Sequence, residues 1–383
     1  MGRRTLCVGV ASSALVGCKR RRTTVPDVDP DIGEKVVPET IAVTLPIKSG
    51  KADAVHAQLE KHIFEHPTGS VHYLRMLPLD ADTLLLSSVY DADLNGLLNL
   101  MAENASRLDA VLSLTEGYPP GGAADSAAMR TFLKANEAKT LMLYSAFDRA
   151  SEPAVRESAQ LRREFLDFVQ AVQRDPAQAE REYSEFLDAN RKRIDSHEEG
   201  AVDQLSPTAL TAPQRQNPFT MVFDLRPSEV KPFNKALTDG QWFLDHLHIH
   251  PLKNIPTVHY ARFARLSKTR VLFESVYDGD WEQYVADFAV HIPKQLDLIW
   301  GGAVGYPAKG AADAPALAKF LDDHRLPRDY FYMSYADRTV KDIQQSLALG
   351  KKLITFSKEA PAEGARLVKH VERFVHRHQA LLA

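Results

Sequence analysis

The chain has almost no cysteine. Cys7 and Cys18 are the only two in 383 residues, and both lie within the first 18. Everything after them therefore has neither a disulfide nor a thiolate metal site. Nor is there a surplus of positive charge: 47 Lys and Arg stand against 50 Asp and Glu, a formal net charge of -3. That excludes a general nucleic-acid binder, because phosphate binding needs a positive excess. No apolar run is long enough to cross a bilayer, which takes roughly 20 residues; the stretch Leu6 to Val16 is too short. No nucleophilic triad, phosphate loop or nucleotide fingerprint stands out. What remains is an ordinary globular composition, 44% hydrophobic and 25% charged, long enough for two domains with proper cores.

The N-terminus reads as a targeting segment rather than as fold. Arg3 and Arg4 form a basic start, Leu6 to Val16 is mostly apolar or small, and Leu15-Val16-Gly17-Cys18 follows. This order resembles a bacterial lipoprotein signal with its lipobox over residues 1–18. The resemblance implies that Cys18 carries the lipid and anchors the mature chain to a membrane. Lys19, Arg20, Arg21 and Arg22 come next, and basic residues beside an anchor add attraction to anionic headgroups. Residues 19–39 form a basic and proline-rich tether. By the same resemblance, Lys19 directs the protein to the outer membrane of the cell envelope.

The body of the chain is written twice. Val71-His72-Tyr73-Leu74-Arg75 recurs as Val258-His259-Tyr260-Ala261-Arg262, and Ser88-Val89-Tyr90-Asp91 as Ser275-Val276-Tyr277-Asp278. Across Val71–Asp91 and Val258–Asp278, 10 of 21 positions are identical without a gap. Leu108-Asp109, Gly117-Tyr118-Pro119, Gly122-Ala123-Ala124-Asp125 and Asp148-Arg149 all recur in order, at an offset drifting from 187 to 189. This is a duplication. Period-two alternation predicts strands at 41–45, 71–77, 83–90 and 140–145, repeated at 220–225, 258–264, 270–277 and 329–334. Helices are predicted between and after them, near 52–63, 94–114 and up to 168, repeated at 229–247, 281–300 and up to 356.

The order β-α-β-β-α-(α)-β is ferredoxin-like with one added helix. Such a sheet carries helices on one face and must bury the other, which two copies achieve sheet against sheet. The fold class expected is α+β, two tandem ferredoxin-like repeats packed face to face, at 40–172 and 218–383. Between them, residues 173–217 form a helical linker and loop. The arrangement resembles the dimeric α/β-barrel superfamily with both halves on one chain, a fold that hosts many chemistries. The last helix, 363–382, carries Leu367, Val371 and Phe374 on one stripe and Lys369, Arg373 and Arg377 on the other face, suited to packing on its own domain or to lying on a membrane.

Residues kept in both copies are explained most simply by the shared fold, whereas a catalytic group needs only one. Asp91/Asp93 and Asp278/Asp280 open the second helix, with capping-box spacing at Asp280 and Gln283. On the hairpin, alternation puts Tyr260, Arg262 and Glu274 on one face and His259, Ala261 and Phe263 on the other. Copy one has Tyr73, Arg75 and Ser87 in the matching places, so the acid is unique to copy two. Two readings follow: a structural Arg262–Glu274 cross-strand pair, or a small-ligand pocket lined by Asp224, Tyr260, Arg262 and Glu274 between the sheets.

Histidines cluster before each hairpin: His62 and His66 before His72, and His246, His248 and His250 before His259. An i,i+4 pair plus a strand histidine could ligate a metal, but His66 and His250 each precede proline, which pushes them out of helical geometry. Chlorite dismutase-like proteins and DyP-type peroxidases resemble this architecture of paired units and use haem. The resemblance implies an axial histidine, His250 or His259, with Arg262 on the distal side. Ser275-Val276-Tyr277-Asp278-Gly279 resembles the DyP Gly-x-x-Asp-Gly motif with Ser for the first Gly. Three functions are thus expected to compete: an envelope lipoprotein binding a small ligand, a haem-dependent peroxidase-like enzyme, and a non-catalytic structural or partner-binding lipoprotein.

Overall fold

The computed structural model describes residues 38–61, 70–147, 150–196, 216–247, 252, 255–327, 329–361 and 363–382. Cys18, residues 19–37 of the tether, His62, His66, His248 and His250 lie outside the described residues, and the last two residues expected in the tether begin the first strand.

The first repeat comprises β1 (Pro38–Pro46), α1 (Ala52–Leu59), β2 (Val71–Asp80), β3 (Thr83–Asp91), α2 (Leu94–Glu103), α3 (Ala105–Leu112), α4 (Ser126–Ala135), β4 (Lys139–Ser145) and α5 (Glu152–Arg174). After α6 (Ala179–Asp195), the second repeats the order: β5 (Gln216–Asp224), α7 (Val230–Leu247), β6 (Val258–Arg265), β7 (Arg270–Asp278), α8 (Trp281–His291), α9 (Pro293–Trp300), α10 (Ala314–His324), β8 (Tyr330–Met333) and α11 (Val340–Glu359). Two helices, α12 (Gly364–Arg377) and α13 (Gln379–Leu382), end the described chain. The helix expected at 94–114 is two, parted at Asn104, and that at 281–300 is parted before Pro293, which has no N–H to continue the ladder. None of the described helices is long and apolar enough to cross a membrane.

The strands form two four-stranded antiparallel sheets, as the α+β reading expects, but with one exchange. Their orders are β1-β3-β2-β8 and β4-β6-β7-β5. Each repeat contributes three strands to its own sheet and its fourth to the other. The crossing is visible in the backbone: the Ala138 N–H bonds Ala42 O at 2.7 Å on β1, and the strand then continues along β6 from Lys139↔Arg265. In the same way the Leu326 N–H bonds Thr220 O at 2.9 Å on β5 before β8 joins β2. The two sheets are therefore stitched along both seams into one barrel.

Helices cover the outside. β5–β7 bury Phe219, Phe223, Phe263 and Phe273 against Phe233, Tyr284, Phe288 and Trp300, and β1–β3 bury an equivalent set led by Leu74, Leu86, Leu97 and Leu108. Helices α5, α6, α11, α12 and α13 share a further core around Phe165, Phe168, Phe356 and Phe374. The stripe on α12 packs there: Leu367, Val371 and Phe374 are buried.

The repeated loop motifs serve this outer layer. Asp109 Oδ1 accepts the Tyr118 hydroxyl and the Ala123 N–H at 2.8 Å; Asp297 Oδ1 accepts the Tyr306 hydroxyl at 2.8 Å and the Ala311 N–H at 2.8 Å. Gly122 and Gly310 take φ of 66° and 78° beside those carboxylates, and a Cβ would meet each within 2.7 Å. Asp125 and Asp313 then cap α4 and α10.

Candidate functional site

The barrel interior is the candidate site, and it is built in three layers. At one level lie Ala42, Leu77, Leu85, Ala264 and Leu272. At the other, Tyr73, Tyr260, Phe147 and Tyr335 pack against Val155 of α5 and Ile343 and Leu347 of α11. Between them is an ionic cluster.

Glu274, on β7, is fully buried and held between two buried arginines. Arg262, its cross-strand partner in register, donates from Nη2 to Glu274 Oε2. Arg75, from the opposite sheet, approaches Glu274 Oε1 at 3.5 Å. The Ser87 hydroxyl, at the position equivalent to Glu274, donates to Oε1 at 2.8 Å. Each arginine also crosses the axis to the other repeat's first strand. Arg262 donates to Ile41 O at 2.6 Å and to the Thr40 hydroxyl; Arg75 donates to Phe219 O at 2.8 Å and to the Thr220 hydroxyl. Burial alone would raise the Glu274 carboxyl, but Arg262 and Arg75 outweigh it and hold it below the ordinary carboxylate range.

The expected face split holds for Tyr260, Arg262 and Glu274, which meet inside the barrel, and for Ala261 and Phe263, which face the helices. It fails at His259. A register shift between Val258 and Tyr260 on β6, and between Val71 and Tyr73 on β2, inserts one unpaired residue. Such a bulge breaks the alternation, so Val258 faces the helices while His259 meets the interior ring of Phe147, 5.9 Å between centroids.

Both bulged histidines do the same work. His72 Nε2 lies 2.8 Å from Asp91 Oδ1, and His259 Nε2 lies 2.7 Å from Asp278 Oδ1. The second oxygen of each aspartate accepts a helix N-terminal N–H: Glu152 of α5 at 2.7 Å and Val340 of α11 at 2.7 Å. Asp91 and Asp278 are thus not caps of the following helix, as the sequence reading had it. Asp93 and Asp280 are, accepting Asn95 N–H at 2.7 Å and Gln283 N–H at 2.8 Å. The expected capping box does not close, because the Gln283 side chain turns to Asp287. Gly279, the last residue of the DyP-like motif, sits at φ 92°, and Ala92 adopts the same left-handed turn at φ 57°. A turn requirement therefore accounts for that glycine.

On the copy-one side the histidine contact extends. Tyr335 Oη lies 2.7 Å from His72 Nδ1 and 2.9 Å from Tyr260 Oη. In the neutral tautomer that donates from His72 Nε2 to Asp91, Nδ1 accepts from the Tyr335 hydroxyl, which accepts in turn from Tyr260. Burial pushes both phenols well above their ordinary range, and Tyr73 to about 12. The copy-two counterpart of Tyr335 is Phe147, so His259 Nδ1 is buried with no partner. Sequence reasoning missed Tyr335. Met333 and Ser145 pair with the equivalent Tyr73 and Tyr260, 188 residues apart, whereas the Asp-Arg match just after them is offset by 189. That one-residue slip hid the Tyr335–Phe147 equivalence.

Asp224 does not join this cluster. It is exposed at the end of β5, 3.4 Å from the Thr269 hydroxyl, so the four-residue pocket is not assembled. The interior does not fit a haem either. His259 is fully buried with Nε2 committed to Asp278, Arg262 is committed to Glu274, and side chains from the two sheets touch across the axis. His250 lies outside the described residues. Among the described residues no group of three or more His, Cys, Asp or Glu is placed to hold a metal.

No family model matches the chain, and no curated protein does. Among solved structures, it is similar to a "putative monooxygenase" from Fusobacterium nucleatum subsp. nucleatum, at 9% identity and a TM-score of 0.29, covering 71% of this chain and 90% of that one. It is also similar to an anthrone oxidase-like protein, at 10% identity and a TM-score of 0.25, covering 80% of this chain and 96% of the other. At these scores neither carries an argument.

Proposed function

We propose that this chain is a lipid-anchored envelope protein that acts through its outer surface, a non-catalytic binding or structural component for which the barrel is the scaffold. The observation that carries this reading is Glu274, clamped across the barrel axis by Arg75 and Arg262. A pocket for a substrate or prosthetic group offers polar atoms waiting for a partner. Here the interior guanidinium groups already share a carboxylate, and the interior nitrogens Arg262 Nε and His259 Nδ1, which have no hydrogen-bond partner, belong to fully buried side chains. The anchoring rests on the order of basic start, apolar stretch and Leu15-Val16-Gly17-Cys18.

The test is a titration of the purified full-length chain with haemin, followed by absorbance. The expected spectrum is that of free haemin, unchanged by His259→Ala. A strong Soret band that His259→Ala abolishes overturns the scaffold reading in favour of a haem enzyme. Anchoring is read separately, by incorporation of a clickable palmitate analogue that Cys18→Ser removes.

A further inference from the structure

The C-terminal helices carry a feature that the scaffold does not use. Between α11 and α12 runs a groove of about 540 Å³. Its floor is apolar: Phe356 and Phe374 are buried, their ring centroids 4.8 Å apart. Two histidines lie on these rings, His370 on Phe356 at 4.8 Å and His378 on Phe374 at 4.6 Å. The rim is cationic. Lys352 from α11 and Arg373 and Arg377 from α12 are exposed along it, against the single acid Glu359. Arg373 spends only Nε within its helix, on Lys369 O at 3.2 Å. His370 Nε2 is buried without a hydrogen-bond partner. An adjoining groove of about 530 Å³ shares Glu359, His370 and Arg373 and adds Arg366, Lys369 and Glu372, so one side of α12 presents a row of cations at helical spacing, in which Arg366 is paired with Glu363 at 3.1 Å.

In a chain of net charge -3, this is a local excess of positive charge, and a neighbouring group feels it. His378 has its pKa lowered, first by burial and then by Lys352 and Arg377. A bound anion would relieve that repulsion.

We propose that the groove between α11 and α12 binds the phosphate of an anionic phospholipid, with Arg373, Arg377 and Lys352 on the phosphate and the Phe356–Phe374 floor beneath the glycerol and first methylenes. Charge complementarity selects an anion, and guanidinium groups suit phosphate oxygens. The aromatic floor and the length of the cation row select a lipid surface over a small free ion, because both extend well beyond one phosphate. The site stands whether or not Cys18 is lipidated.

The experiment uses the full chain with Cys18→Ser, so that no anchor contributes. Its co-sedimentation is measured with vesicles of phosphatidylcholine alone and of phosphatidylcholine mixed with phosphatidylglycerol, with and without Arg373→Gln plus Arg377→Gln. Lys19 to Arg22 are present in both proteins, so their attraction cancels in the comparison. The expected result is binding to the phosphatidylglycerol vesicles only, weakened about thirtyfold by the double substitution, the effect of two charges beside an anionic surface. Both side chains are exposed, and equal melting temperatures establish that the variant is folded. As a second readout in the unsubstituted protein, the NMR titration midpoint of His378 should rise when the phosphatidylglycerol vesicles are added. Equal vesicle binding by the two proteins overturns the proposal. If inorganic phosphate raises the His378 midpoint while vesicle binding is unaffected by the substitutions, the groove takes free phosphate and the lipid assignment falls.

Discussion

Single residues separate what the fold requires from what is peculiar to this chain, because each repeat is a control for the other. His72/His259 and Asp91/Asp278 are doubled and do the same structural work twice. Glu274 and Tyr335 are not doubled, and both lie inside the barrel. Glu274→Gln should leave two arginines buried without a carboxylate. Breaking a buried pair from one side costs about 3–5 kcal/mol, to be read as a lowered urea midpoint; an unchanged midpoint would mean that Arg75 and Arg262 are satisfied by backbone carbonyls alone. Tyr335→Phe converts copy one to the copy-two pattern and removes the partners of His72 Nδ1 and the Tyr260 hydroxyl. Stranding buried polar atoms costs about 1–3 kcal/mol. The reciprocal Phe147→Tyr offers a hydroxyl to His259 Nδ1 and should gain about 1 kcal/mol. Equal and small effects from both swaps would show that the hydroxyl is not what orders this end of the barrel. Of these residues, Arg262 and Glu274 were legible in the sequence because period-two alternation and one missing acid sufficed. His259 was misplaced by a bulge that leaves no mark in composition.

At the scale of elements, the two long helices that follow the exchanged strands are held by their first turns. The N–H of Glu152 reaches Asp91, and that of Val340 reaches Asp278. Glu152 is fully buried at the start of α5, with Oε1 3.3 Å from Arg156 and Oε2 without a partner. Burial raises its pKa above the ordinary carboxyl value of 4.5, and Arg156 only partly offsets this. A carboxyl whose folded pKa is raised contributes no penalty while it is protonated in both states, and it destabilises the fold as pH rises through the folded value. Glu152→Gln should therefore match the parent in stability well below pH 4.5 and exceed it as pH rises above 4.5, the difference levelling off once the folded carboxyl has ionised. Parallel stability curves for the two proteins would contradict the shift. Element identities were readable from periodicity throughout, while the breaks at Asn104 and Ile292 were not. The apolar stripe runs on across them, and only the backbone turns.

For the molecule as a whole, chain order alone did not say which sheet takes each fourth strand. A strand at 139–145 satisfies the same pattern in either sheet, and the decision rests on the seams where Ala138 and Leu326 leave their own first strands for the other repeat. The exchange makes each repeat incomplete by one strand, and the interior charges decide which pairings can complete it. The intact barrel buries two arginines around one carboxylate. Two copies of the first repeat would bury Arg75 twice with Ser87 twice and no acid at all, whereas two copies of the second would bury two arginines with two copies of Glu274. Uncompensated buried charge is far more costly than a paired one. Expressed separately, the second repeat should therefore associate with itself through its exchanged strand, while the first should remain unfolded until the second is added. Sedimentation velocity and far-ultraviolet circular dichroism of the two pieces, alone and mixed, measure this. A first repeat that forms a stable dimer by itself would show that Arg75 does not need Glu274, and that the charge asymmetry between the repeats does not direct their pairing.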